Sequence, residues 1–278
     1  MIQRGGFMST IPTGVKQLLL ANIALFFLTS LMKIGGVNLN EWLGLHLTES
    51  SMWYPWQYVT SMFMHGGFSH LFFNMFALFM FGRILEQVWG TKRFVIYYML
   101  CGLGAGLLHN FVSWMELGRI LDPCREFALN ATPEALYDVA KHLGDGLFKK
   151  DVIFGFIDKW QENPSNPMYI AEAKQMVATI SSTYTDIVEN TTTVGASGAV
   201  FGILLAFGML FPNTEMYIMF LPIPIKAKYF VAIYALIELF AGVQHIPGDN
   251  VAHFAHLGGM LIGFIILKIW RMRRNTFY

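Results

Sequence analysis

Six apolar runs, each closed by charged residues or helix breakers, set the terms on which this chain can fold. They cover roughly residues 17–32, 69–84, 94–112, 197–211, 229–243 and 251–270. Away from water only helices and closed barrels satisfy every backbone N–H and C=O, and runs of this kind are membrane-spanning helices. Composition agrees, since 55% of the 278 residues are apolar and 13% charged, too little polar surface to cover a soluble domain of this size. Arg4 and Lys16 ahead of the first run resemble a secretory signal, but a small-residue cleavage site is lacking and further apolar runs follow. A net charge of +1 gives no basis for nucleic-acid binding. Cys101 and Cys124 supply neither metal-ligand spacing nor a disulfide framework. The expected fold is an all-α polytopic membrane protein, a six-helix transmembrane bundle whose partner is the lipid bilayer.

Lysine and arginine placement orients the bundle, because positively charged short loops stay cytoplasmic. Arg4 and Lys16, then Arg83, Lys92 and Arg93, then Lys226 and Lys228, then Arg271, Arg273 and Arg274 all fall on one side. That side is cytoplasmic and holds both termini, which suits a multi-pass protein of the bacterial inner membrane. Three parts follow: residues 1–112 with the first three helices, an extramembrane insert at 113–193, and residues 194–278 with the last three. The insert lies on the outer face by helix count. It holds twelve acidic against seven basic residues, whereas the rest of the chain has twelve basic against six acidic. Within it, Thr132-Pro133-Glu134 reads as an N-cap and first-turn proline opening a helix with Leu136, Val139 and Leu143 on one face. A second helix is expected from Met168 to about Ile187. The first outer connection carries Trp42, Trp53, Tyr54, Trp56 and Tyr58, which suit either the headgroup boundary or packing on helix ends.

Chemistry concentrates at two helix starts. The fourth run opens with Gly195-Ala196-Ser197-Gly198 and ends at Pro212. A helix of about 15 residues is roughly 22 Å long, too short to cross a hydrocarbon core of about 30 Å. Its first N–H groups therefore need a wet or protein-lined cavity, which makes Ser197 a candidate nucleophile rather than another small contact residue. The sixth run opens with Val251-Ala252-His253-Phe254-Ala255-His256-Leu257-Gly258-Gly259. An ionisable side chain at this depth is costly and points to function, and His256 can meet Ser197 at similar depth. Gly198 and Gly202 on one helix, with Gly259 and Gly263 on the other, permit the close approach a Ser-His hydrogen bond requires. His253, one turn nearer the surface, fits the loop or its hydrogen bonds, and is the alternative to His256 as the base. His65 precedes the second run, with His70 and Asn74 on one face of it. Three neutral groups without a carboxylate or thiolate make a poor hydrolytic metal site. His70 and Asn74 fit side-chain donors to an oxyanion, and His65 fits hydrogen bonding across helices.

Taken together, His65, His70 and Asn74 at the second helix, Gly195-Ala196-Ser197-Gly198 at the fourth and Ala255-His256-Leu257-Gly258-Gly259 at the sixth resemble the rhomboid protease family in its basic six-helix bacterial form. The resemblance covers nearly the whole chain outside the insert. It implies an intramembrane serine endopeptidase that cleaves single-pass transmembrane proteins near the outer boundary and needs neither metal nor cofactor. It further implies a dyad of Ser197 as nucleophile and His256 as general base. The oxyanion would be held by His70, Asn74 and the Ser197 backbone N–H. Supporting roles fall to Gly195, to His65 bracing the first loop, and to Phe201 packing on the histidine ring where tyrosine is frequent. Departures are Gln57, where many members have arginine after tryptophan, and the long insert. The resemblance implies no third, acidic member: Glu86 and Glu215 lie toward the inner side and Glu238 near the middle of the fifth run, while Asp249, in the outer loop about two turns above His256, stays open as an acid that could orient it. The rival readings are an inactive rhomboid-like binder of membrane proteins, which can lack either dyad residue, and a proton-coupled transporter, for which an internal repeat is missing.

Overall fold

A computed structural model describes residues 11–144, 146–218, 221–244 and 251–273. Arg4, Arg274, Asp249 and most of the fifth connection lie outside these. The first helix, α1 (Thr13–Ile34), begins after Pro12, and its opening N–H groups are capped from a distance. Glu86 accepts hydrogen bonds from Gly14 N and Val15 N at 2.7 Å each, and from Thr91 Oγ1 at 2.6 Å. The buried carboxylate sits on a helix N-terminus, where dipole and unpaired donors both favour negative charge.

The outer connection contains α2 (Leu39–Leu43), a short strand β1 (Leu45–His46), α3 (Gln57–Thr60) and a 3-10 turn at Ser61–Phe63. The second span is one continuous helical run, Phe68–Trp89, built from α4 (Phe68–Ala77), a π-helical turn at Leu78–Gly82 and α5 (Arg83–Trp89). Gly90, at φ 78°, ends it in a left-handed conformation that glycine adopts freely. The third span is much longer than the apolar run foretold. α6 (Thr91–Leu129) has 39 residues and passes through Pro123. At 1.5 Å per residue it reaches about 58 Å, so it leaves a core of about 30 Å and carries the insert on its far end.

The insert continues with α7 (Pro133–His142), α8 (Lys150–Glu162) and α9 (Pro167–Asn190). Thr132 caps α7 by accepting from Ala135 N at 3.2 Å, and α9 runs through the expected second helix. α8 was not foreseen. These helices and the end of α6 enclose their own apolar core around Phe127, Leu136, Ile157, Trp160 and Ile180. Strand β2 (Thr192–Thr193) then returns to pair antiparallel with β1, Leu45 opposite Thr193 and His46 opposite Thr192.

α10 (Ser197–Leu210) is apolar but only 14 residues long. A hairpin of β3 (Glu215–Ile218) and β4 (Leu221–Lys226) leads to α11 (Ala227–Gln244), and α12 (His253–Arg273) closes the bundle. Among the described residues five helical runs are long and apolar enough to span a membrane, and α10 is the shorter sixth. α12 packs chiefly on α6 and α10. That packing brings the starts of α10 and α12 together.

Candidate active site

Close backbone approach builds this site. Gly195, at φ 134°, turns the chain into α10, and a Cβ there would lie 2.7 Å from both Cε1 and Nε2 of His70. Its N–H donates to Ser61 O at 2.9 Å. Ser197 becomes the first helical residue, with no side chain capping the helix start. Where α10 meets α12, a Cβ on Gly259 would run into the Gly198 carbonyl, and one on Gly198 into Ala105 of α6. A Cβ on Gly202 would lie 2.5 Å from Cys101 Sγ and 3.1 Å from Gly259 O. Gly263 faces Tyr97 of α6 instead, whose hydroxyl donates to Gly202 O at 2.8 Å.

At this contact Ser197 Oγ lies 2.8 Å from His256 Nε2. Phe201, one turn along α10, stacks on the imidazole with ring centroids 4.1 Å apart and planes 7° from parallel. The opposite ring nitrogen, Nδ1, lies 2.9 Å from Oε2 of Glu238 on α11, and the same oxygen lies 2.6 Å from His253 Nδ1. The sequence leaves Asp249 as the one acid open to this role and sets Glu238 aside; Asp249 lies outside the described residues, and the contact with Glu238 is the correction. His253 opens α12 and hydrogen-bonds Glu238, while His256 and not His253 is the histidine against Ser197. A single glutamate in an apolar run was the available signal, but only the rotation of α11 against α12 reveals its partners.

Ligand atoms of Glu238, His253 and His256 fall within 4.8 Å of one another, as a metal site would require. Two ligands about 2.1 Å from a tetrahedral ion stand about 3.4 Å apart. The separations of 2.6 and 2.9 Å fit a shared proton better than a shared ion.

His70 borders the Ser197 turn through Gly195. Asn74 is buried one turn further along α4, and one of its amide N–H groups donates to His70 O at 2.9 Å. His65 is buried edge-on to His70, ring centroids 5.1 Å apart. Burial first, and the charge of His70 second, push its pKa down to about 4. His109 of α6, which no motif marks, pairs through Nε2 with Thr193 Oγ1 at 2.9 Å and so ties β2 to the bundle.

Gln57 proves to be the hub of the first loop. Fully buried, its Oε1 accepts from His46 N at 3.2 Å and Tyr54 N at 3.1 Å, while Nε2 donates to Met52 O at 2.8 Å and Trp42 O at 3.4 Å. A neutral amide offers donors and acceptors at once, which a guanidinium cannot. Trp42, Tyr54 and Trp56 remain exposed, the last two stacked 4.3 Å apart, as suits a headgroup boundary.

A family model for the rhomboid domain matches residues 52–117 and 168–273. The intervening residues 118–167 hold the far end of α6 with α7 and α8. An uncharacterised mitochondrial rhomboid protein of Schizosaccharomyces pombe is 28% identical over 227 residues, 78% of this chain and 52% of that protein. The chloroplastic Rhomboid-like protein 11 of Arabidopsis thaliana is 30% identical over 107 residues, 38% of this chain and 34% of that one. The rhomboid protease AarA of Providencia stuartii is 34% identical over 62 residues, 22% of each chain. This chain therefore spans about half the length of these curated relatives, or less. Their names divide among mitochondrion, chloroplast and bacteria, which leaves the expected bacterial inner membrane without support.

Proposed function

The chain belongs to the rhomboid family, and we propose that it is an intramembrane serine endopeptidase acting on single-pass transmembrane proteins. The observation that carries this reading is the 2.8 Å contact between Ser197 Oγ and His256 Nε2 at the adjoining starts of two membrane helices. A substrate helix unwinds locally beside α10, and Ser197 attacks the exposed carbonyl as its proton passes to His256 Nε2. Charge gathers on the carbonyl oxygen, where the Ser197 N–H and the side chains of His70 and Asn74 serve as donors. His256 returns the proton to the leaving amine, then takes one from the water that hydrolyses the acyl-enzyme. Phe201 keeps the imidazole in plane through both transfers.

Reconstituted protein should cleave a labelled single-span substrate, and Ser197→Ala should abolish cleavage without altering thermal unfolding in detergent. Cleavage by purified Ser197→Ala would contradict the assignment. Binding of substrate without cleavage by the wild type would identify an inactive binder instead.

A further inference from the structure

We propose that Glu238 is a positioning residue for His256, so that Ser197, His256 and Glu238 work as a triad with His253 steadying its acid. This rests on the serine-protease reading above and deepens it.

The four side chains form one line of contacts. Ser197 Oγ lies 2.8 Å from His256 Nε2, His256 Nδ1 lies 2.9 Å from Glu238 Oε2, and Glu238 Oε2 lies 2.6 Å from His253 Nδ1. A neutral imidazole donating its Nδ1–H to a carboxylate has its lone pair on Nε2. That is the tautomer able to take the serine proton, and its lone pair faces Ser197. Stacking on Phe201 fixes the ring plane but permits rotation within it, and the Glu238 hydrogen bond removes that freedom. When Nε2 gains the proton, the carboxylate opposes the new positive charge where little water screens it. Glu238 itself stays unprotonated throughout, so one proton moves from serine to histidine and later to the leaving amine.

A carboxylate on a membrane-spanning helix is costly unless hydrogen-bonded. Among the described residues the other buried carboxylate of the bundle is Glu86, which meets that need with two backbone N–H groups and a hydroxyl. Glu238 meets it with two imidazoles, one of them in contact with the serine. Among the described residues the other ionisable groups around this pair are His70 from α4, His109 from α6 and Tyr234 one turn back on α11. None of them supplies a second carboxylate.

The test compares Glu238→Gln, Ser197→Ala and Asp249→Asn in the full chain, reconstituted with a labelled single-span substrate. Glutamine keeps the shape and removes the charge, and its amide can donate to Nδ1 and enforce the wrong tautomer. Glu238→Gln should lower kcat by roughly 100-fold or more, with KM and thermal unfolding close to wild type. Its labelling by a fluorophosphonate should slow by a similar factor, and Asp249→Asn should stay within about 3-fold. A kcat for Glu238→Gln within about 3-fold of wild type, beside an inactive Ser197→Ala, would overturn the triad and leave the dyad standing. An active Ser197→Ala would overturn the parent reading instead. If Glu238→Gln fails to fold, proton NMR of the wild type reads the bond directly. A strongly downfield imidazole N–H that disappears in His256→Ala supports it, and the lack of that signal in folded wild type overturns it.

Discussion

The membrane bundle and the insert solve the packing problem in opposite ways. Around Ser197 the helices meet through missing side chains: Gly259 against Gly198, Gly202 against Cys101, Gly104 against Ile262. In the insert they meet through large ones, with Trp160, Phe127 and Leu136 almost wholly buried and Gly155 facing open space. Lipid tails are as apolar as leucine, so in the bilayer helices gain little by hiding apolar area and associate by close approach and hydrogen bonds. A core of large apolar side chains like the insert's is the kind that gains from area removed from water. Short polar reaches such as Ser197 to His256 are available in the first kind of packing, and the insert contributes ties to the loops around the site instead.

The largest effect should come from Trp160→Ala, which empties the centre of the insert and removes the indole bond to Pro164 O. It should cost about 3–5 kcal/mol of insert stability. Hydrogen exchange should rise across 124–180 while the bundle amides stay protected, and loss of protection around Ser197 would show the two regions to be one cooperative unit. Next is Gly259→Ala, whose methyl has only the Gly198 backbone to displace. Separating α10 from α12 by about 1 Å should cut cleavage by about 100-fold while the insert's exchange is unchanged. Gly155→Ala, the same substitution in open space on α8, should stabilise the insert by about 0.5–1 kcal/mol, read by chemical denaturation followed at Trp160.

The smallest effect concerns the seam between the regions. Glu189 accepts from Ser51 N, Ser51 Oγ and Ser50 Oγ at 2.8–3.1 Å. The Ser51 N–H first, and then the two hydroxyls, hold its pKa below the ordinary glutamate value. A carboxylate with a lowered folded pKa contributes fully above the unfolded value of about 4.3, and the contribution fades as pH falls through the folded one. Exchange at Ser51 N should therefore be steady near neutrality and quicken on acidification below that range relative to Glu189→Gln. Identical pH dependence in the two proteins would remove Glu189 from the seam.

How much of this was legible in the sequence follows the same division. Apolar runs marked the bundle, and short motifs marked the starts of α10 and α12, because close packing in lipid demands particular residues at particular positions. Ser197 and His256 stand in those motifs and Phe201 follows from the family resemblance, and the structure brings all three into contact. Glu238 was seen and set aside, since its role depends on how α11 turns toward α12. Gln57 was read as a missing arginine, although a buried amide could bind four backbone groups at once. In the insert, Thr132 announced α7 through its cap. α8 escaped although Ile153, Phe156, Ile157 and Trp160 share one face at helical spacing. The length of α6 escaped as well, because its apolar stretch ends where it leaves the membrane while the helix continues.

The most direct measurement is the site of covalent labelling. Incubated with a fluorophosphonate and digested, the folded protein should carry one phosphonyl group, on the peptide containing Ser197, and His256→Ala should carry almost none. Cleavage of a membrane substrate by protein that stays unlabelled at Ser197 after prolonged exposure, or a label of equal intensity in His256→Ala, would contradict the account.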